Sequence, residues 1–227
     1  MTKAGRASIF AALLAIVLGL VIFTVMAFLR SSPPTLDFTA GHSAGQPVDL
    51  NIQTVGAIGY GDHPTWVSYM AQNPQSMQWE QSTIWKLPAH TLIHVTINQY
   101  DSGSPLRNEE IGLITGVNGN HYLLNGKQEI SLVNSYAGNG VAHTFSVPSL
   151  GINIPLLGAN GSASNFCGGP APCTTSQAHN TIQFSFTTPG PGSYRFQCFV
   201  PCGLSYLYGN GGPMSTVGFM GGFLEVQ

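Results

Sequence analysis

Hydrophobic and polar positions divide the chain into two unlike parts. Residues 8–29 form an apolar run of 22 residues with no charged side chain, in which only Ser8 and Thr24 are polar. As an α-helix, such a run would extend about 33 Å, which exceeds the roughly 30 Å of a bilayer's hydrocarbon core. We therefore expect residues 1–30 to form one N-terminal transmembrane anchor.

The charges beside this run indicate how the anchor would be oriented. Lys3 and Arg6 precede it, and Arg30 alone follows it. Because positive charge concentrates on the cytoplasmic side, we expect a single-pass protein of the cell membrane with a cytoplasmic N-terminus and an extracytoplasmic C-terminal domain. A cleaved signal peptide is the alternative, but its apolar region usually spans only about 7–15 residues, and the triplet Val25-Met26-Ala27 is a poor cleavage site.

Beyond the anchor, short apolar runs alternate with Gly, Pro and Asn. Residues 31–45 read as a linker and residues 46–227 as one domain. The predicted strands are Val48–Val55, Thr83–Leu87, Thr91–Gln99, Ile111–Val117, His121–Leu124, Glu129–Asn134, His143–Val147, Thr181–Thr187, Ser193–Cys198 and Phe219–Val226. A short helix is predicted only in Val67–Gln81. So many short strands favour a mainly β fold, an antiparallel sandwich or barrel.

The composition and the absence of certain motifs exclude some classes of function. Charged residues make up 7% of the chain, against about a quarter in typical soluble proteins, and the net charge is −2. This leaves no electrostatic basis for a nucleic-acid partner. The chain also lacks a phosphate-binding glycine motif placed after a strand and a Gly-x-Ser-x-Gly nucleophile elbow. Nothing in the sequence supports a hydrolase.

Four cysteines fall into two close pairs. Cys167 and Cys173 flank a Gly- and Pro-rich loop, and Cys198 and Cys202 lie in a second loop near the C-terminus. Because an exported domain can hold disulfides, we expect a structural disulfide between Cys167 and Cys173, with two free thiols as the alternative.

The second cysteine pair and an upstream histidine, His143, suggest a copper site. Thiolate sulfur binds Cu(I) well, and imidazole serves both oxidation states of copper. Two other interpretations stay open: Cys198 and Cys202 could form a disulfide, and His143 could be a hydrogen-bonded core residue.

Two segments resemble cytochrome c oxidase subunit II. Ala142–Ile152, Ala-His-Thr-Phe-Ser-Val-Pro-Ser-Leu-Gly-Ile, is similar to that family's His-Ser-Trp-x-Val-Pro-Ser-Leu-Gly segment, and Phe196–Gly203 is similar to its Gln-Cys-x-x-x-Cys-Gly loop. The resemblance implies a cupredoxin-like Greek-key β-sandwich after one transmembrane helix. It also implies a binuclear CuA site in which His143 is a ligand, Cys198 and Cys202 are bridging thiolates, and Val200 offers its backbone carbonyl.

The ligand set implied by this resemblance is incomplete. The family has a histidine four residues after the second cysteine and a methionine three residues later, where this chain has Tyr206 and Gly209. We consider His179 a candidate second imidazole and Met214 a candidate thioether.

The argument for His179 comes from a predicted hairpin. Thr188–Ser193, Thr-Pro-Gly-Pro-Gly-Ser, is predicted to be a tight turn between two paired strands. Placing Phe184 and Phe186 on the same face as Phe196 requires paired residue numbers that sum to 380 or 382. This register would bring His179 level with the cysteine loop.

Electron transfer is the function that this resemblance implies. The protein would be an electron-transfer protein or a non-catalytic subunit of a haem-copper oxidase, with a redox partner protein and other oxidase subunits as partners. Three alternatives remain: a mononuclear blue-copper carrier similar to sulfocyanin or rusticyanin, a copper-free cupredoxin scaffold subunit as in quinol oxidases, and a non-redox external binding module.

Overall fold

The computed structural model describes residues 3–25, 33–202 and 212–227. The chain forms two compact units, Met1–Ser32 and Pro33–Gln227. In the first unit the predicted helix is present as α1, Lys3–Thr24. Among the described residues, no helix combines the length and the apolar character that crossing a bilayer requires. The transmembrane part of the prediction is therefore not confirmed, and residues 26–30 of the predicted anchor lie outside the described residues.

The second unit is built from short strands. In the described residues they are β1 Thr35–Asp37, β2 Val48–Val55, β3 Ser68–Gln72, β4 Trp79–Glu80, β5 Ile84–Leu87, β6 Leu92–Gln99, β7 Tyr122–Leu124, β8 Gln128–Ile130, β9 Val141–Val147, β10 Ile152–Leu157, β11 Asn180–Thr187, β12 Gly192–Gln197 and β13 Gly221–Val226. Short 3-10 helices lie at Glu109–Gly112, Asn118–Asn120, Pro148–Leu150 and Pro213–Ser215.

These strands form two sheets that make a mainly β sandwich, as the sequence predicts. One sheet has the order β1-β5-β13-β12-β9-β10 and the other β4-β3-β2-β6-β11-β7-β8. Most neighbours are antiparallel, but β1 with β5, β5 with β13, and β2 with β6 are parallel. Alternation along each strand turns one set of side chains towards the space between the sheets, where they form the core.

Aromatic rings occupy the centre of this core. Trp85 stacks on Phe196 with 4.7 Å between ring centroids, and Phe145 lies 5.1 Å from Phe196. All three side chains are fully buried. Such large buried rings account for much of the apolar surface removed from water on folding. They belong to the same core cluster as Cys198 and Cys202.

The predicted helix at Val67–Gln81 is wrong. This segment contains β3 and β4, and β3 pairs with β2 through contacts such as Ile52 with Ala71. Pairing with a neighbouring strand overrides the weak local preference for a helix. The predicted strand Ile111–Val117 is also absent, since a 3-10 helix and two isolated bridges occupy this region. Conversely, β10 is a strand that the sequence pattern did not indicate.

The predicted linker contains part of the sandwich. Within residues 31–45, β1 pairs with β5, and Leu36 lies opposite Trp85. Leu36 and Phe38 are both buried in the core. The folded unit therefore begins before residue 46.

The predicted hairpin between β11 and β12 does not form, because the two strands belong to different sheets. β11 pairs with β6 and β7, whereas β12 pairs with β13 and β9. Thr188 stabilises the crossing between the sheets: its buried hydroxyl accepts the N–H of Thr91 at 2.9 Å and donates to the carbonyl of Pro88 at 2.7 Å. Phe184 and Phe196 thus face the same core from opposite sides, and no register relates them.

A second apolar cluster contains a disulfide. Cys167 and Cys173 are joined and buried, and they pack with Val55, Ile58, Met70 and Tyr100. The side chain of Gln53 holds the loop, since its amide donates to the carbonyl of Cys173 at 2.9 Å and its oxygen accepts the Cys173 N–H at 3.0 Å.

We expect Leu36→Ala to destabilise the sandwich by about 2–5 kcal/mol, because it removes a buried side chain and leaves a cavity. The measurement is denaturant unfolding. Thr35→Ala, at an exposed position of the same strand, is the matched control and should change stability by no more than about 0.5 kcal/mol. Equal stability of the two variants would show that β1 is not an integral strand.

Candidate metal centre

His143 lies in β9, all of whose residues are buried. Strand alternation directs its side chain to the same face as Phe145 and Val147, towards the core. Within the sheet, His143 is the register partner of Leu156 in the neighbouring strand β10. The ring is 3% exposed, so β9 places the imidazole largely out of contact with solvent.

The cysteine loop begins where β12 ends, next to β9. The last residue of β12, Gln197, lies opposite Ser146. The N–H of Cys198 donates to the carbonyl of Met220 at 2.9 Å, and the N–H of Phe199 donates to the hydroxyl of Thr144 at 2.9 Å. The start of the loop is thus attached to β9 on one side and to the turn before β13 on the other, which fixes the first sulfur beside His143.

The three side chains converge. The Sγ atoms of Cys198 and Cys202 are 2.8 Å apart, and Nδ1 of His143 is 3.0 Å from Sγ of Cys202 and 3.8 Å from Sγ of Cys198. Both cysteines are free and buried, and their separation exceeds the roughly 2.05 Å of a disulfide bond. The carbonyl of Val200 lies 2.9 Å from Sγ of Cys202 and 3.5 Å from Sγ of Cys198.

Among the described residues, this is the one group of three or more His, Cys, Asp or Glu side chains whose ligand atoms lie within 4.8 Å of one another. Two sulfurs and an imidazole nitrogen match the ligand types that copper prefers. The group fits an incomplete copper site.

Electrostatic coupling within the group favours an ion pair. Burial alone would lower the pKa of His143, but hydrogen bonds to Asp101 and Cys198 favour the imidazolium and raise its pKa from 6.5 to about 9. Burial would raise the pKa of Cys198, whereas hydrogen bonds to Cys202 and His143 hold that pKa well below 9.0. The pKa of Cys202 is raised well above 9.0, first by burial and then by its interaction with Cys198. These shifts favour a proton on His143 and on Cys202 over one on Cys198, although Cys202 is the sulfur nearer to Nδ1.

Asp101 is a neighbour of His143 that the sequence did not predict. Its Oδ2 lies 2.9 Å from Nε2 of His143, the ring nitrogen on the side away from the sulfurs. The only sequence signal is an acidic residue just after the predicted strand Thr91–Gln99, and 42 residues separate it from His143. Such a signal cannot identify a contact between distant segments.

The other predicted ligands have different positions. His179 lies outside the group of three: its Nδ1 is 2.7 Å from the carbonyl of Gln177, and its ring is 5.1 Å from that of Tyr100. Met214 is partly buried and packs against the core cluster that contains both free cysteines. Its role as a thioether ligand stays a prediction. Tyr206 and Gly209 lie outside the described residues.

In the reduced, copper-free protein, we expect the first thiolate to form well below pH 9.0 and the second only well above it, because the pKa values of Cys198 and Cys202 move in opposite directions. Ultraviolet absorbance of the thiolate during a pH titration measures this. His143→Ala should raise the pH at which the first thiolate forms, and His179→Ala is the matched control that should leave that pH unchanged. Two thiolates ionising together near the ordinary pKa of about 8.5 would contradict this electrostatic account.

No protein-family model matches the chain, and no curated protein matches it. Among solved structures, the chain is similar to rusticyanin from Thiobacillus ferrooxidans, at 13% identity over 87% of this chain and 85% of that chain, with a TM-score of 0.35. It is similar to reduced rusticyanin at 16% identity over 87% of both chains, with a TM-score of 0.33. It is also similar to a chain of a heme-copper terminal oxidase dimer, at 11% identity over 99% of this chain and 100% of that chain, with a TM-score of 0.33. Identities and TM-scores this low carry no argument about function.

Proposed function

We propose that this protein binds copper and transfers electrons, as a membrane-attached, extracytoplasmic domain of cupredoxin-like fold. The observation that carries the proposal is the convergence of Nδ1 of His143 with the sulfurs of Cys198 and Cys202 in a buried group. A strand and a loop that are 55 or more residues apart in the sequence place these atoms together.

The donor set supports copper as the cofactor. Two thiolates and one imidazole would hold it, with the Val200 carbonyl close to both sulfurs. Copper would supply reversible one-electron transfer when bound. The buried setting suits this role, because strands that resist rearrangement keep the ligand positions the same in both charge states.

The chain's own residues tune and protect the site. The N–H of Thr144 lies 3.4 Å from Sγ of Cys198 and points a donor at the sulfur. Hydrogen bonds to a ligand sulfur and the apolar shell around it both set a redox potential. Tyr69, fully buried, donates its hydroxyl proton to the carbonyl of Thr144 at 2.8 Å and helps to exclude water beneath the site.

More specifically, we propose that the protein is a component related to subunit II of a terminal oxidase. Its partners would be a redox partner protein and other oxidase subunits. The two free sulfurs 2.8 Å apart favour a binuclear, CuA-like site. A mononuclear blue-copper carrier with Met214 as its thioether ligand is the second candidate, favoured by Pro213, the residue before Met214, which lines the same cavity as His143 and Cys202.

Membrane attachment belongs to the proposal as well. Apolar side chains on all sides of α1 are exposed, as at Ile9 (51%), Phe10 (69%) and Leu20 (60%). An exposed apolar surface of this kind marks an interaction with membrane or protein. With Lys3 and Arg6 on the N-terminal flank, the N-terminus would be cytoplasmic.

We expect Cys198→Ser or Cys202→Ser to abolish stoichiometric copper binding, because each removes a thiolate donor. Metal analysis of the copper-loaded protein measures this, and the double variant Cys167→Ser/Cys173→Ser is a matched control that should retain copper. Two coppers with a delocalised electron spin resonance signal would indicate the binuclear site, and one copper with an intense blue band the mononuclear site. Failure of the wild-type protein to bind copper would contradict the proposal.

We expect the full chain to sediment with membranes and a chain of residues 33–227 to stay in the soluble fraction, because only the former carries α1. Fractionation after expression, with a carbonate wash to remove loosely bound protein, measures this. Equal distribution of the two chains would remove the membrane part of the proposal.

A further inference from the structure

We propose that Asp101 is the positioning residue of this site: its carboxylate holds Nε2–H of His143 and thereby directs Nδ1 at the two sulfurs. The effect of Asp101 on copper binding rests on the proposed function, whereas its effect on the orientation of the His143 ring does not. The carboxylate approaches from a segment that contributes neither cysteine nor histidine to the group.

The geometry determines which ring nitrogen of His143 is bonded to Asp101 and which one faces the sulfurs. Oδ2 of Asp101 lies 2.9 Å from Nε2 of His143, and the sulfur of Cys202 lies 3.0 Å from Nδ1. An ionised carboxylate only accepts hydrogen bonds, so Nε2 must carry the proton. Nδ1 is then the nitrogen that faces the sulfurs, and a metal would bind there in place of the Nδ1 proton. Turning the ring over would replace both nitrogens by carbon at these contacts and break both interactions.

Asp101 is itself held in place. Its Oδ1 accepts the N–H of Ser102 at 2.8 Å, which leaves Oδ2 for the histidine. Its carbonyl accepts the N–H of Ala159 at 2.8 Å and the side-chain amide of Gln99 at 3.1 Å. Local contacts to Ser102 and Gln99 and a distant contact to Ala159 therefore hold this residue in the position from which Oδ2 reaches His143.

The Asp101 carboxylate occupies the space that a side chain at residue 56 would fill, and Gly56 has none. A Cβ added at Gly56 would lie 2.7 Å from Oδ1 of Asp101 and 3.1 Å from its Cγ. Gly56→Ala should therefore displace the carboxylate while leaving its chemistry unchanged. This substitution tests position separately from charge.

The chain offers a matched control in a second Asp–His pair. Asp49 and His94 approach to 3.4 Å on the outer face of the sandwich, where their side chains are 77% and 50% exposed. In the proposed pair, His143 and Asp101 are 3% and 24% exposed. Asp49→Ala removes the same group from a histidine that has no part in the site.

The first experiment is proton–nitrogen NMR of the full chain in detergent, without copper. We expect a slowly exchanging Nε2–H signal from His143 in the wild type and in Asp49→Ala, and its loss in Asp101→Ala and Gly56→Ala. If Asp101→Ala does not fold, Gly56→Ala decides the question. Persistence of the protected signal in a folded Asp101→Ala or Gly56→Ala variant would overturn the proposal.

The second experiment measures Cu(I) affinity by competition with a chelator, on the same four proteins. Loss of an outer hydrogen-bond partner of a ligand typically weakens metal binding about 10–100-fold, and we expect that loss in Asp101→Ala but not in Asp49→Ala. Unchanged affinity in Asp101→Ala would overturn the positioning role. If the wild type binds no copper, the proposed function fails, and the NMR result alone decides whether Asp101 orients His143.

Discussion

The site depends on the pairing of β9 with β12. This contact sets His143 beside the start of the cysteine loop, and hydrogen bonds through Thr144 and Met220 fix that loop from both sides. Bringing polar, ionisable groups into an apolar core is costly unless they satisfy one another. The group meets this condition by sharing one imidazolium, one thiolate and one thiol, and by engaging Asp101 at its outer edge.

The same arrangement explains why the fold suits electron transfer. Both cysteines belong to the same core cluster as the packed rings of Trp85, Phe145 and Phe196. A rigid, dry setting keeps the geometry of a metal site constant when its charge changes. Among the described residues of the sandwich, His143 is the one buried histidine.

Sequence patterns predicted a good part of this fold, and the misses have physical causes. Alternation gave β2 its bounds, Val48–Val55, because a half-buried strand displays its two faces directly. Alternation shows which side chains face inwards but not which sheet a strand joins, so β11 and β12 were wrongly paired. The three converging residues were found from their chemistry and a family resemblance, whereas Asp101 was missed because its contact with His143 exists only after folding.

X-ray absorption at the copper edge of the loaded protein shows whether the imidazole and both sulfurs bind one copper centre. We expect sulfur in the first shell together with the multiple-scattering pattern of imidazole, and loss of the sulfur contribution when both free cysteines are replaced by serine. A first shell of oxygen and nitrogen alone in the wild-type protein would show that these side chains do not hold the copper.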